Sequence, residues 1–454
     1  PLAAPAQRPL GVGAGAVKVH LPYGERGIDA EVPDTATVLV PEPVAALGDP
    51  ASTVRAAIEA PVAGPPLRRI VRAGERAAIV VSDVTRPVPN EIFLPPILET
   101  LEAGGVRRED VTIVIGTGLH RPSRPDERRR ILGDEILSRY RVIDHVAKDR
   151  STQAYLLTTA RGHGDPSGGV EVWLNRAYME AELRIVTGFV EPHLFGGYSG
   201  GGKAVLPGIA GADAIMANHD ARMIGHPKST WCVTDGNPIF EEMRDVALRS
   251  EPSFSLNVTL DEAKRISGVF AGELAAAHDA AIAQAARQAV RPIPHLFDIV
   301  VVTNMGYPAD LVLYQAVKGI SVANQACAPG GAILLVAECR EGLGAVEYVE
   351  LLHSERSPGE LLRAVEHPER PTTFDQWQVQ VQAMVQARCD VWLHSALPRE
   401  TVEAGHLRYA EDVSATLAAV IDEKRAALGR EPTVCVMPHG QLTVPRVVAA
   451  GERG

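Results

Sequence analysis

Short apolar runs that end at small polar residues recur along the chain and constrain its fold more than any other feature. Residues 77–81 and 111–115 are two such five-residue runs. An apolar run of this length without alternation is typical of a strand buried on both faces of a parallel sheet. Between them, residues 90–101 carry leucines and isoleucines at helical spacing, with Asn90 as the predicted N-cap and Gly104-Gly105 as the stop. This strand–helix–strand order predicts a parallel pair joined by a crossover helix.

A second group of apolar runs follows a proline-containing break. Residues 273–290 form a predicted Ala-rich helix, and Arg291-Pro292-Ile293-Pro294 follows it as the predicted domain boundary. Four further runs alternate with helical stretches, at 299–303, 332–337, 391–394 and 433–437. The length of 454 residues also favours more than one domain. We therefore predict two α/β domains with mainly parallel sheets, over residues 1–290 and 295–454, with the active site in the cleft between them.

The composition argues against several classes of protein. With 56 acidic and 45 basic residues the net charge is −11, which disfavours a general binder of nucleic acids or anionic membranes. No apolar stretch reaches the roughly 18 residues that span a membrane, and the N-terminus lacks the apolar core of a signal peptide. The five cysteines include no C-x-x-C pair, so a disulfide framework or a thiolate metal site is not expected. We expect a cytoplasmic protein.

Three polar loops follow predicted strands, at residues 82–87, 116–123 and 188–207. In open parallel sheets, ligands bind beyond the carboxyl ends of the strands, so we predict the site there. The third loop contains the sequence GGYSGGGK at residues 196–203. Glycines let the backbone approach a ligand closely, and their N–H groups can bind a phosphate. The simpler alternative is a flexible surface loop with a solvated Lys203.

The same loop nearly matches a P-loop, because Gly197, Gly202 and Lys203 have the spacing G-x-x-x-x-G-K. Ala204 follows, where a P-loop has a hydroxyl residue that holds magnesium. The loop also does not follow its predicted strand directly. Both departures disfavour a P-loop ATPase or kinase.

Several side chains in these loops could perform chemistry. The histidines concerned are His120, His193 and His219. An imidazole exchanges protons near neutral pH and binds metals, although a single histidine is more often structural. Arg86 could bind a carboxylate or a phosphate. In the C-terminal half, Tyr314 and Lys318 share one face of a predicted helix, for which an ordinary amphipathic helix is the simpler explanation.

Taken together, these motifs resemble those of the lactate racemase family. The resemblance runs from about Ala77 to about Trp377. Its markers are Ser82-Asp83-Val84-Thr85-Arg86-Pro87, Gly116-Thr117-Gly118-Leu119-His120-Arg121-Pro122, Glu191-Pro192-His193, the Gly-rich loop to Lys203, Asn218-His219, Tyr314-Gln315 with Lys318, and Asp375-Gln376-Trp377. Each motif alone is weak, but their joint order is specific.

The resemblance implies an isomerase, namely a racemase or epimerase of small 2-hydroxy acids. It implies a nickel-pincer nucleotide, pyridinium-3,5-bisthiocarboxylic acid mononucleotide with nickel, which other proteins make. By the same resemblance the cofactor is attached to Lys203, and His219 is a ligand of the nickel. The cofactor would accept a hydride from C2 of the substrate, leaving a 2-keto acid, and return it to the other face.

The resemblance also implies a role for each remaining site residue. His120 and His193 would exchange the hydroxyl proton, one for each enantiomer. Asp83, Thr85 and Arg86 would hold the phosphate and ribose of the cofactor. The residues expected to bind the substrate are Arg86, Tyr314, Gln315, Lys318 and Trp377.

Two alternative functions remain open. A nicotinamide-dependent 2-hydroxy acid dehydrogenase would share the fold class and the hydride chemistry, but it needs a G-x-G-x-x-G turn after a strand. Gly11, Gly13 and Gly15 have a different spacing and precede the first predicted strand. A non-catalytic homologue that binds the cofactor would keep both the fold and the motifs.

Overall fold

A computed structural model describes residues 15–159 and 169–448 of the chain, which divide into two compact units. The first unit comprises residues 42–289 and 371–377. The second comprises the described residues up to 41, residues 290–370, and the described residues from 378 onward. Gly11 and Gly13, considered above for a dinucleotide turn, lie outside the described residues. Within the described segments, no helix is both long and apolar enough to cross a membrane.

A six-stranded sheet lies at the centre of the first unit. In spatial order its strands are Ile266–Gly272, Phe254–Leu260, Leu183–Phe189, Ala77–Ser82, Val111–Gly116 and Arg141–Asp144. The edge strand Ile266–Gly272 is antiparallel to its neighbour, and the other neighbours run parallel. Residues 77–81 are almost completely buried. The strands predicted from the apolar runs are therefore confirmed as central strands covered on both faces.

The parallel register brings three polar strand ends to one edge of this sheet. Ser82 lies opposite Gly116, and Val80 lies opposite Val186. Consequently the loops that follow Ser82, Gly116 and Phe189 all leave the sheet at its carboxyl edge. This is the place where the sequence predicts the site.

Helices and two hairpins complete the first unit. The helices are Pro50–Glu59, Leu67–Ile70, Asn90–Ala103, Pro125–Arg139, Arg176–Met179, Ala212–Asn218, Ala221–Ile224, Pro238–Arg249 and Leu274–Ala289, with 3-10 turns at Arg108–Asp110, Arg150–Thr152 and Gly201–Ala204. The hairpins pair Gln153–Thr159 with Val170–Asn175, and Pro192–His193 with Gly197–Tyr198. The helix predicted from residue 90 is present, but Asn90 is its first helical residue and not its cap. Pro89 precedes it without a side-chain capping bond.

The second unit contains a six-stranded sheet whose neighbours all run parallel. In spatial order the strands are Arg408–Tyr409, Asp390–His394, Cys327–Val336, Phe297–Thr303, Val434–Met437 and Thr37–Val38. The helices are Leu313–Ala323, Val346–Leu352, Pro358–Val365, Gln376–Gln386, Arg399–Ala404 and Val413–Leu428, with a 3-10 turn at Gly440–Leu442. The first two residues of helix Gln376–Gln386 belong to the first unit. All four strands predicted in this half of the chain are confirmed.

The first described strands belong to the second unit, whereas the sequence placed residues 1–290 in one domain. Strand Ala16–Leu21 pairs with Ile28–Pro33 in antiparallel orientation. Its Leu21 packs in the same core as Val301 and Val436. Thr37–Val38 extends the parallel sheet beside Val434–Met437. The division therefore differs from the predicted one because these pairings join distant parts of the chain.

The predicted boundary after residue 290 is a strand and not a linker. Val290–Ile293 pairs in parallel with Val444–Val447. Proline is tolerated there because a two-stranded ribbon leaves one edge of each strand without a ladder partner. The chain changes unit at Val290.

Candidate functional site

An open pocket lies at the carboxyl edge of the sheet in the first unit, and all three polar loops contribute to it. Its lining residues are Val81, Ser82, Asp83, Thr85, Arg86, Gly116, Thr117, Gly118, His120, Gly188, Phe189, Ser199, Gly200, Lys203, Ala204, Pro207 and Gly208. Five of the residues singled out from the sequence are among them. These are Asp83, Thr85, Arg86, His120 and Lys203. The structure thus brings together residues that are up to 120 positions apart, as the strand-end rule predicts.

Asp83 and His120 form a hydrogen-bonded pair in this pocket. Oδ2 of Asp83 lies 2.7 Å from Nδ1 of His120. The carboxylate is buried, whereas 52% of the His120 side chain is exposed. Burial by itself raises the pKa of the Asp83 carboxyl, but the bonds from His120 and Thr85, with the charge of Arg86, bring this pKa below its ordinary value. Asp83 is therefore ionised at neutral pH.

Thr85 and Arg86 complete the first polar loop. Thr85 donates its backbone N–H and its hydroxyl to Oδ1 of Asp83, at 3.2 and 2.5 Å. Nη1 of Arg86 lies 3.4 Å from the carbonyl oxygen of Thr85. Arg86 is half-buried at the pocket wall. The positive charge of its guanidinium could bind a phosphate or a carboxylate.

The Gly-rich loop is packed tightly against its own protein. Gly200 and Gly201 have φ of 75° and 50°. A Cβ at Gly200 would lie 2.6 Å from Cγ2 of Val190, and one at Gly201 would lie 2.1 Å from Nδ1 of His278. Contacts within the protein therefore explain these two glycines, although Gly200 also lines the pocket. The flexible-loop alternative does not fit a buried segment of this kind.

The elements that flank the Gly-rich loop also differ from those that flank a P-loop. The hairpin of Pro192–His193 with Gly197–Tyr198 separates the loop from strand Leu183–Phe189. Lys203 lies on the short 3-10 turn Gly201–Ala204 and not at the start of an α-helix. A P-loop presents its backbone N–H groups between a strand and a helix N-terminus, so this arrangement disfavours that alternative further.

His219 is buried at the end of helix Ala212–Asn218, with 6% of the residue exposed. Its Nδ1 is buried, with no hydrogen-bond partner among the described residues. Burial, and then the nearby positive charge of Lys203, lower the pKa of His219 from 6.5 to about 3. The imidazole is therefore neutral at physiological pH, which is the form that binds a metal ion.

Aromatic rings connect His219 to two other predicted site residues. The ring of Phe195 lies 4.7 Å from the ring of His193 and 5.1 Å from that of His219. On another side, the ring of Trp377 lies 5.2 Å from His219. His193, His219 and Trp377 thus belong to one aromatic cluster. Lys203, whose charge acts on His219, joins this cluster to the pocket.

His193 lies in the short hairpin before the Gly-rich loop and is half-buried. Its Nδ1 accepts a hydrogen bond from the backbone N–H of Gly196, at 3.1 Å. The contact is local, because only three positions separate the two residues. It orients the imidazole through the backbone of the same hairpin.

Two buried histidines that were given no role from the sequence hold the segment around Lys203. Nε2–H of His278 donates a hydrogen bond to the carbonyl oxygen of Ser199 at 2.9 Å, and Nε2–H of His145 donates one to the carbonyl oxygen of Ala210 at 2.8 Å. These carbonyls lie on either side of Lys203 along the chain. His278 lies on helix Leu274–Ala289. Its position in the sequence does not distinguish it from a solvent-exposed histidine, and only the structure shows that it is buried. Both histidines are therefore structural supports of the site.

The stability of the protein is expected to fall between pH 6.5 and pH 4. Burial lowers the pKa of both His145 and His278 from 6.5 to about 4. The unfolded chain therefore takes up these protons at a higher pH than the folded protein, which costs roughly 3 kcal/mol per histidine at pH 4. Urea unfolding at pH 7 and 4.5 measures this effect. His278→Gln keeps an N–H donor without titrating, so its stability should depend less on pH; an identical dependence would contradict the assignment.

The remaining predicted residues lie in the second unit. Tyr314, Gln315 and Lys318 are half-buried on helix Leu313–Ala323. The ring of Tyr314 lies 5.4 Å from that of Tyr348. Trp377, predicted to act together with these residues, falls in the first unit next to His219. The part played by the three helix residues stays a prediction.

Family models and known proteins match most of this chain. A model of the lactate racemase N-terminal domain matches residues 23–232, and one of the lactate racemase C-terminal domain matches residues 294–444. The lactate racemase of Lactiplantibacillus plantarum is 33% identical over 432 residues, which cover 93% of this chain and 98% of that protein. This chain belongs to the lactate racemase family. The lactate racemase of Thermoanaerobacterium thermosaccharolyticum is 29% identical to this family member over 401 residues, covering 87% and 90% of the two chains.

Solved structures resemble this family member over most of their length. The lactate racemase apoprotein from Thermoanaerobacterium thermosaccharolyticum matches with a TM-score of 0.85 and 28% identity, covering 95% of this chain and all of that one. A protein from Thermotoga maritima matches with a TM-score of 0.66 and 18% identity, covering 88% and 99%, which concerns the fold alone. The predicted family and the predicted pair of mainly parallel α/β domains are confirmed, while the role of each site residue stays a prediction.

Proposed function

We propose that this chain is an isomerase that inverts C2 of a small 2-hydroxy acid, using a nickel-pincer nucleotide attached to Lys203. The relatives named above are lactate racemases, which supports racemase activity. The observation that carries the finer proposal is the buried, neutral His219, on which the charge of Lys203 acts, while Lys203 itself lines a pocket together with His120. Three kinds of chemistry are therefore available in one region. Lys203 could be attached to a cofactor, His219 could ligate a metal, and His120 could exchange a proton.

The residues present fit this cofactor. Lys203 offers a primary amine, which reacts readily with an activated acyl group. His219 offers one imidazole nitrogen, a donor that suits square-planar Ni(II). Arg86 offers a guanidinium for the phosphate. When bound, the cofactor supplies a reversible acceptor for the C2 hydride of the substrate, which passes through a 2-keto acid. Proteins that make this cofactor are proposed partners of the chain.

The two histidines outside the metal site handle the hydroxyl proton. Loss of a hydride from C2 becomes easier when the hydroxyl proton leaves as well. Inversion moves the hydroxyl group to a new position, so each enantiomer requires its own proton acceptor. We assign these roles to His120 in the pocket and to His193 in the aromatic cluster, since an imidazole exchanges protons near neutral pH.

Charged and aromatic residues would then hold the substrate. Arg86 is placed at the pocket wall, where it can pair with a carboxylate. Trp377 packs against His219 and would limit the space near the reacting carbon. Gln315 and Lys318 of the second unit are proposed to bind the carboxylate and the C2 oxygen together with Arg86, and Tyr314 is proposed to pack against the substrate.

Solvent-isotope measurements test the proposal directly. Protein loaded with the cofactor is incubated in D2O with single enantiomers of lactate, malate, phenyllactate and gluconate. We expect inversion of one of them, followed by optical rotation or chiral chromatography, with the C2 hydrogen retained because a transferred hydride does not exchange with solvent. Deuterium at C2 would instead indicate proton abstraction. Turnover that requires added NAD would favour the dehydrogenase, and no turnover of any substrate would favour a non-catalytic binder.

A further inference from the structure

We infer that Asp83 is a positioning residue that acts through His120, whose neutral imidazole it holds with the proton on Nδ1. His120 would then present a bare Nε2. The inference rests on the proposed function, because it concerns one of the two histidines to which that function assigns proton exchange. It takes the place of the expectation that Asp83 and Thr85 hold the phosphate of the cofactor.

The tautomer of His120 follows from its partner. An ionised carboxylate only accepts hydrogen bonds, so Nδ1 of His120 carries the proton in the 2.7 Å contact with Asp83. In the neutral imidazole the lone pair is then on Nε2, the nitrogen left for a substrate. Thr85 occupies the other carboxylate oxygen with two donors. The carboxylate is thus held from both sides by hydrogen-bond donors.

The same contacts argue against a direct role of Asp83 and Thr85 in phosphate binding. A buried carboxylate repels a phosphate, and this repulsion is strong where solvent is excluded. The single hydroxyl proton of Thr85 is already donated to Asp83. Of the three residues predicted to hold the cofactor, Arg86 alone offers a charge of the required sign.

The first test reads the tautomers themselves by NMR. The full chain is labelled with [15N]histidine, and two-bond proton–nitrogen correlations distinguish protonated from bare ring nitrogens, before and after cofactor loading. His120→Ala assigns the signals of this residue. We expect a protonated Nδ1 and a bare Nε2 in His120. The spectrum of the wild-type protein is sufficient to decide the tautomer of His120. A neutral His120 that carries its proton on Nε2 would overturn the inference.

The second test separates positioning from cofactor binding. In Asp83→Asn, an amide N–H can face Nδ1 of His120 and favour the wrong tautomer. We expect kcat to fall by about 10²–10⁴-fold, the usual contribution of a positioned acid–base group, with KM nearly unchanged. The fraction of Lys203 that carries the cofactor, read from the intact mass, should match wild type. Loss of this adduct would instead show that Asp83 binds the cofactor.

A matched control exists on the surface of the second unit. Nδ1 of His20 lies 3.0 Å from Oδ1 of Asp29 in an exposed pair. Asp29→Asn removes the same type of contact away from the pocket, so it should change neither kcat nor the His120 signals. Absence of any racemisation by wild-type holoenzyme would defeat the proposed function, but it would leave the tautomer spectrum of His120 as an independent result.

Discussion

Lys203→Arg is expected to give a folded protein that carries no covalent cofactor and has no racemase activity above background. Arginine keeps the positive charge and much of the length of lysine. Its guanidinium stays protonated at any physiological pH and is not a nucleophile. The variant therefore removes the bond-forming amine while leaving the charge that acts on His219. Intact-mass measurement of wild type and variant after identical loading shows the adduct or its absence, and chiral chromatography measures activity.

Lys228→Arg is the control for this substitution. Lys228 is exposed, pairs with Asp235 and does not line the pocket, so its replacement should change neither the adduct nor the activity. Matching thermal melting curves of the two variants would exclude a folding defect. If wild-type protein racemises a substrate while Lys203 retains its unmodified mass, covalent attachment is not part of the mechanism.

The central sheets were predictable because their strands carry a strong local signal. Residues 77–81 and 111–115 have no polar residue that would place one face in water, apart from a threonine, so both faces had to be covered. The location of the site followed from the same property, since parallel strands end at one edge. By contrast, Thr37–Val38 lies beside Val434–Met437, almost the whole chain away. Alternation along a strand predicts the strand but does not identify its partner.

Within the site, the sequence indicated which residues take part more readily than how they contact each other. Asp83 and His120 are 37 positions apart, and no local pattern predicts that they form a pair. The same holds for His278, whose partner Ser199 is 79 positions away. Long-range contacts of single polar groups depend on the register of strands and helices, which only the folded chain defines. The family resemblance placed Asp83 at the cofactor, and no local pattern in the sequence indicated its bond to His120.

His120→Ala and His193→Ala are each expected to lower racemisation by about 10²–10⁴-fold, since each removes one acid–base group. Both directions should be slowed equally in kcat/KM, because the two enantiomers of one acid have an equilibrium constant of one. A steady-state assay therefore cannot tell which histidine serves which enantiomer. The exposed His367 also accepts a backbone N–H on its Nδ1, and His367→Ala should leave the rate unchanged.

A single-turnover measurement resolves the two roles, because the first half of the reaction needs only one acceptor. With His193 removed, the enantiomer whose hydroxyl faces His120 still loses its proton and its hydride, so a stoichiometric amount of 2-keto acid should appear after acid quenching. The mirror-image substrate should give none. His120→Ala should show the reverse preference. If both variants form keto acid from the same enantiomer, the histidines do not divide the substrates between them, and one imidazole must serve both hydroxyl positions.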